Sequence, residues 1–248
     1  MVPGAHGSPT KRGALAASAA AARALLPALV TEIFANDTLR LACSLVLSAF
    51  AAFGGDPGAE APPADDFDPA DGHPVPVVFV HGFLGNSSHF SRVRSFLAAR
   101  GIRSFAAFSY PPEVDHERLA LRLGEMIEGV CLATGAPQVD VVGHSLGGLI
   151  ARHMLETGAS RRVRRLITLG APFIAPLLAP QELAIFGGTD VLIAAPDPVH
   201  GPHGRTLLIP RCGHLGLLRH LTVLRAVAAF LAAPAEEELE WPGALEAA

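Results

Sequence analysis

Residues 138–149, Gln-Val-Asp-Val-Val-Gly-His-Ser-Leu-Gly-Gly-Leu, decide how this chain is read. Val139, Val141 and Val142 are β-branched and form a short buried-strand pattern, and Leu146, Leu149, Ile150 and Met154 recur directly afterwards at helical spacing. Between the two patterns Gly143, His144, Ser145, Leu146 and Gly147 spell G-x-S-x-G, and so little chain remains that the turn must be very tight. A serine there adopts strained dihedrals that lift its Oγ clear of the sheet. The flanking glycines have no Cβ to collide with the neighbouring strand or helix. The bare pattern is weak evidence. Its position at a strand-to-helix junction, after an earlier His81-Gly82 turn and before a histidine near the chain's end, makes Ser145 a candidate nucleophile rather than a helix-capping serine.

Working outward, Val-Pro-Val-Val-Phe-Val at residues 75–80 is the first clear strand, with His-Gly-Phe-Leu-Gly-Asn as its turn. A helix over residues 87–100 follows, with Phe90, Val93, Phe96 and Leu97 on one face, and then a strand over 102–108. Asp115 caps a helix running to about residue 134, with Leu119, Leu123, Met126, Ile127 and Val130 at helical spacing. Beyond the junction the pattern predicts strands over 163–169, 183–186 and 206–209 and a closing helix over 216–232. Strands alternating with helices at this rhythm indicate an α/β fold: a mostly parallel, doubly wound sheet of about six strands with helices on both faces.

The chain has 248 residues, half of them hydrophobic and 17% charged, enough for one substantial core with an appended segment. That core maps to residues 75–233. Upstream, residues 1–13 are polar with a Lys11-Arg12 pair, and the alanine-rich run 14–22 resembles a secretory signal with a short apolar core. Residues 25–30 and 39–53 read as further helices, the second capped by Asn36 or Asp37. Its polar residues Arg40, Ser44 and Ser48 make a narrow stripe, which suits packing against protein or lying in a membrane interface, and the apolar run is short for a span. A secreted or envelope-associated location is expected over a cytoplasmic one. Residues 54–74 combine Gly, Pro and Asp and read as a linker, and 234–248 as an acidic solvated tail.

A net charge of −4 gives no reason to expect nucleic acid as partner. Arg161, Arg162, Arg164 and Arg165 read as a solvated strand entrance. Cys43, Cys131 and Cys212 are too few and scattered for a disulfide framework or zinc knuckle, and no H-E-x-x-H or clustered His/Asp spacing calls for a metal.

Serine is a poor nucleophile at neutral pH, so Ser145 needs a base, and the base needs an acid to hold its tautomer. Of 11 histidines, His214 follows the last strand at the carboxyl edge of the sheet, where such sites gather. His73, His89, His116, His200, His203 and His220 fall in polar loops or on helices and need only a surface explanation; His153 sits in the helix after Ser145. Asp190, in Gly187-Gly188-Thr189-Asp190 after a strand, is the first choice for the acid, with Asp197 as the alternative. Asp140 lies too far down its strand and reads as a salt-bridge residue. The backbone amides of Leu146 and Phe83 are the expected oxyanion donors. His81 reads as bracing the Phe83 turn and His144 as a packing residue.

With His-Gly-Phe-Leu-Gly-Asn, Val-Asp-Val-Val-Gly-His-Ser-Leu-Gly-Gly, Ile-Thr-Leu-Gly-Ala-Pro, a Gly-Thr-Asp turn and Cys-Gly-His-Leu-Gly-Leu-Leu in that order, residues 75–232 resemble the small, lidless-type bacterial lipases and esterases of the α/β-hydrolase superfamily. The resemblance implies hydrolysis of an ester or lipid substrate through an acyl-serine, with Ser145, Asp190 and His214 as triad, Phe83 and Leu146 as oxyanion donors, and no cofactor. Thioester cleavage, acyl transfer or polyester hydrolysis would use the same triad, and a silent ligand-binding scaffold is the non-enzymatic alternative. The short interval between Gly170 and Asp190 leaves no room for a large cap. An open cleft with Leu84, Phe173, Ile174, Leu177 and Leu178 as apolar walls is therefore expected. Two features depart from those relatives: the segment before residue 75 and the apolar, then Pro-rich, stretch after Asp190.

Overall fold

The computed structural model describes residues 67–68, 71–110, 115–172, 182–195 and 204–233. The expected N-terminal helices, most of the linker, Phe173, Ile174, Leu177, Leu178, Asp197 and the acidic tail lie outside the described residues.

Six parallel strands carry the fold: β1 (Val77–Val80), β2 (Phe105–Phe108), β3 (Val139–His144), β4 (Val163–Leu169), β5 (Glu182–Gly187) and β6 (Gly204–Ile209). Their spatial order is β2-β1-β3-β4-β5-β6. Every residue of β1, β2, β3 and β5 is buried, the signature of a parallel sheet covered on both faces. Among the described residues the α-helices are α1 (Ser91–Ala98), α2 (His116–Thr134), α3 (Leu146–Thr157) and α4 (Leu221–Ala232).

The order reverses at β1. The chain steps from β1 outward to β2, then crosses back over β1 to β3 and continues through β4 to β6. Right-handed crossovers running in opposite directions put α1 on one face and α2 and α3 on the other. α4 returns to the α1 face, where Val93 and Leu97 of α1 join Val223, Val227 and Leu231 of α4 in one core with Val77 and Phe79. Where winding reverses, the loops leaving β1 and β3 part in opposite directions and open a crevice at the carboxyl ends of the strands.

Local chemistry sets the element ends. The Asp115 carboxylate accepts from the Arg118 N–H at 3.1 Å and starts α2, as its sequence position predicts, and Gly135 in the left-handed region stops it. Two expected helices are shorter. Residues 87–90 form a 3-10 turn with Asn86 accepting from the Ser88 N–H, and residues 215–218 form another that precedes α4. β2 starts at Phe105 rather than at residue 102, because Asp71 takes the N–H groups of Arg103 and Ser104 at 2.9 and 2.6 Å.

That contact and one from His73 tie two residues of the segment read as a linker to the folded body. The His73 side chain is 4% exposed, with Nε2 at 2.9 Å from Asp140 Oδ2, so it is a buried partner and not a surface loop histidine. Arg164 donates from Nε to Asp140 Oδ1 at 2.9 Å. Arg165, 1% exposed, donates from Nη1 to the carbonyls of Phe230 and Leu231 at the end of α4, where a cation complements the helix dipole. The arginine pair is therefore interior structure rather than a solvated entrance. Cys131 and Cys212 are buried free thiols. No helix among the described residues is long and apolar enough to cross a membrane.

Candidate active site

β3 ends at His144 and α3 begins at Leu146, so Ser145 alone makes the turn, with φ 54° and ψ −123°. That left-handed backbone costs a serine roughly 1–3 kcal/mol, and the surroundings hold it there. The Ser145 N–H donates to Leu169 O at 2.9 Å, and its carbonyl accepts from Gly148 at 3.0 Å. Gly147 makes the turn possible, because a Cβ there would lie 2.1 Å from Val80 O. The serine is half-buried and lines a cavity with Gly82, Phe83, Leu84, His89, His144, His214 and Leu215.

His214 and Asp190 reach this rim from the loops after β6 and β5. His214 Nδ1 lies 2.7 Å from Asp190 Oδ2. Asp190 Oδ1 accepts from the N–H groups of Leu192 and Ile193 at 2.9 and 3.0 Å, so both carboxylate oxygens are committed and the group cannot rotate. With Nδ1–H donated to the carboxylate, the lone pair of His214 sits on Nε2. Gly170, at φ 55°, packs behind the pair: a Cβ there would lie 3.1 Å from His214 Nδ1 and 3.2 Å from Asp190 Oδ2.

The turn after β1 is held by His81. Its Nδ1–H donates to Gly82 O at 2.8 Å, and the Gly85 N–H donates to the same oxygen at 2.9 Å. In a trans peptide the carbonyl and the following N–H point in opposite directions, so gripping Gly82 O also aims the Phe83 N–H. Tyr110 completes the brace. Its ring stacks on His81 at 4.2 Å, its hydroxyl donates to His81 O at 2.6 Å, and its N–H reaches His81 Nε2 at 3.4 Å. Burial pushes the Tyr110 phenol far up and holds the His81 imidazole below the usual range. Leu84, next in the turn, has φ 53°, a second strained residue in the cavity wall. The Leu146 N–H, at the first position of α3, has no acceptor within its helix and lies at the positive end of the dipole.

His144 is 3% exposed, and its Nε2 lies 3.3 Å from His214 O. Burial drives its imidazole well below the ordinary histidine range, with His214 adding to the effect, so the ring is neutral and braces the His214 loop. His89 also differs from its expected place. It lines the cavity, and burial, followed by the charge of Arg219, lowers its affinity for a proton.

The structure thus gathers Ser145, His214, Phe83 and Leu84 around one cavity, sets Asp190 behind His214, and starts α3 at Leu146. Sequence reasoning missed Tyr110 and His89. The only signal for Tyr110 was its place just past the end of β2.

A parallel sheet whose winding reverses beside a strained serine, with a histidine and its carboxylate hung from later strands, has the architecture of an α/β hydrolase. Residues 75–192 match the family model described as alpha/beta hydrolase fold. Solved structures with the same fold include mature lipase BlEst2 of Bacillus licheniformis, at 18% identity and a TM-score of 0.54 over 71% of this chain and 99% of that one. Esterase Pf2001 of Pyrococcus furiosus matches at 16% identity and a TM-score of 0.50, over 65% of this chain and 84% of its own. Aspergillus fumigatus lipase B matches at 12% identity and a TM-score of 0.54, over 72% and 60%. At these identities the likeness is one of fold.

Proposed function

We propose that the chain is a serine hydrolase of carboxylic esters, working through an acyl-serine intermediate. The observation that carries this reading is the 2.7 Å contact of His214 Nδ1 with a fully committed Asp190 carboxylate, at the rim where Ser145 is held at a positive φ. Ser145 Oγ attacks the ester carbonyl while His214 Nε2 takes its proton. The carbonyl electrons move onto oxygen, which the Phe83 and Leu146 amides stabilise. The tetrahedral adduct then expels the alkoxide, which leaves as the alcohol with the proton from His214. Water, deprotonated by the same nitrogen, attacks the acyl-serine and releases the acid. Phe83, Leu84 and Leu215 offer the acyl group an apolar wall. A lipase of Bacillus licheniformis and an esterase of Pyrococcus furiosus share this fold, which supports the substrate class proposed.

The test is hydrolysis of p-nitrophenyl esters from acetate to palmitate by wild type and Ser145→Ala side by side. Serine-dependent turnover is expected, and the chain-length optimum separates esterase from lipase. No turnover on any ester would overturn the reading in favour of thioester cleavage, acyl transfer or a silent scaffold.

A further inference from the structure

His116, Glu117 and His153 form a cluster that does not line the cavity and plays no part in the chemistry above. One ligand atom from each lies within 4.8 Å of the others. The two imidazoles meet edge to face with centroids 5.0 Å apart; both are half-buried, and Glu117 is exposed. His116 and Glu117 open α2, and His153 lies about two turns into α3. Residues so far apart in the chain carry no sequence signature of a site, which is why spacing alone gave no hint of one.

The framework beneath them is tight. A Cβ on Gly124 of α2 would lie 2.7 Å from Ala159 O, just past the end of α3. The contacts His116 to His153 and Gly124 to Ala159 advance in the same direction along both helices, so α2 and α3 run side by side. In a tetrahedral zinc shell, metal-ligand bonds of about 2.0–2.2 Å put neighbouring donors roughly 3.4 Å apart. The donors lie within 4.8 Å of one another, so the closure that binding asks of them is at most about 1.4 Å, the scale of side-chain torsions.

Two imidazoles and one carboxylate suit a borderline first-row dication, whereas calcium and magnesium ask for all-oxygen shells. We propose that His116, Glu117 and His153 bind one zinc-type dication, with water completing the shell on the solvent side. The ion ties the start of α2 to α3, the helix whose first turn carries Ser145. Because an ion bound only by the folded chain stabilises it, occupancy raises the thermal midpoint.

The experiment titrates the full chain with Co2+, reading the visible absorption of a tetrahedral cobalt centre, and then displaces it with Zn2+ while following thermal unfolding. One Co2+ per chain, displaced by one equivalent of Zn2+, and a raised thermal midpoint are expected. His116→Ala and His153→Ala should each weaken binding on the order of 100-fold and remove the thermal shift, with Glu117→Gln weakening it less. Should His153→Ala compromise folding, His116→Ala at the first position of its helix gives the same reading. Unchanged affinity in the double histidine variant would place the metal among other histidines and overturn the proposal. So would zinc affinity weaker than about 100 µM, or an equal thermal shift with Ca2+.

Discussion

Replacing Asp190 by Asn tests the proposed relay at one atom pair. Asp190 accepts two backbone N–H groups at Oδ1, 2.9 and 3.0 Å away, and faces His214 Nδ1 with Oδ2 at 2.7 Å. An asparagine in this place must keep its carbonyl oxygen on the Oδ1 side, because an NH2 group there would confront two donors. Its NH2 then faces His214 Nδ1. The imidazole can meet that donor only by surrendering its Nδ1 proton, so the proton moves to Nε2. The lone pair that should receive the Ser145 proton is gone. Inverting the tautomer in serine hydrolases lowers kcat about 10⁴-fold, a barrier increase of about 5 kcal/mol. KM should barely change, since no group in contact with the substrate has moved. Steady-state hydrolysis of p-nitrophenyl butyrate near neutral pH, with Ser145→Ala as the floor and circular dichroism as the fold check, reads the effect. A fall in kcat smaller than about tenfold, or a larger fall for Asp197→Asn, would refute the assignment of Asp190.

Ser145→Gly should abolish turnover yet raise stability by about 1 kcal/mol, because glycine relieves the strain at φ 54°, partly offset by its freer unfolded chain; a lowered thermal midpoint would count against stored strain. His81→Phe keeps the stack on Tyr110 but removes one of the two donors on Gly82 O, so kcat should fall roughly tenfold with KM nearly unchanged, and an unaltered kcat would remove His81 from the positioning of Phe83. His81 and His144 are buried with proton affinities lowered by burial, so below their unfolded value of about 6.5 the unfolded chain binds more protons than the folded one. Stability is thus fully present above that pH and is lost as pH falls, by up to about 1.4 kcal/mol per pH unit for each ring, until the folded forms also titrate. Thermal midpoints between neutral and mildly acidic pH should show a slope that His144→Gln makes shallower.

The sheet was legible because parallel strands buried on both faces are rich in apolar residues, as Val77–Val80 is throughout, and the apolar run after Arg165 let β4 be read with its observed bounds from Val163 to Leu169. Ser145 and the Asp115 cap were legible for a related reason: a one-residue turn and a helix start each demand particular residue types. Contacts that close only in space were not. His73 looks like any loop histidine until Asp140 comes beside it, and Arg165 looks solvated until the end of α4 arrives over it. The 3-10 turns at residues 87–90 and 215–218 share the apolar spacing of an α-helix over so few residues that the pattern could not tell them apart. Leu84 carries no residue-type signal for its positive φ, since glycine would ordinarily stand there.

The reversal of winding at β1 also governs when this molecule becomes competent during folding. Phe83 hangs from β1, Ser145 from β3, Asp190 from β5 and His214 from β6, so the groups meet only after the nonlocal pairings across the sheet have formed. Such pairings close long loops and come slowly, whereas helices form early from local contacts. On dilution from denaturant, helical signal should therefore return before ester turnover does. Regained activity would report that β1, β3, β5 and β6 have all come into register in one sheet, a readout of long-range assembly that helical signal cannot supply.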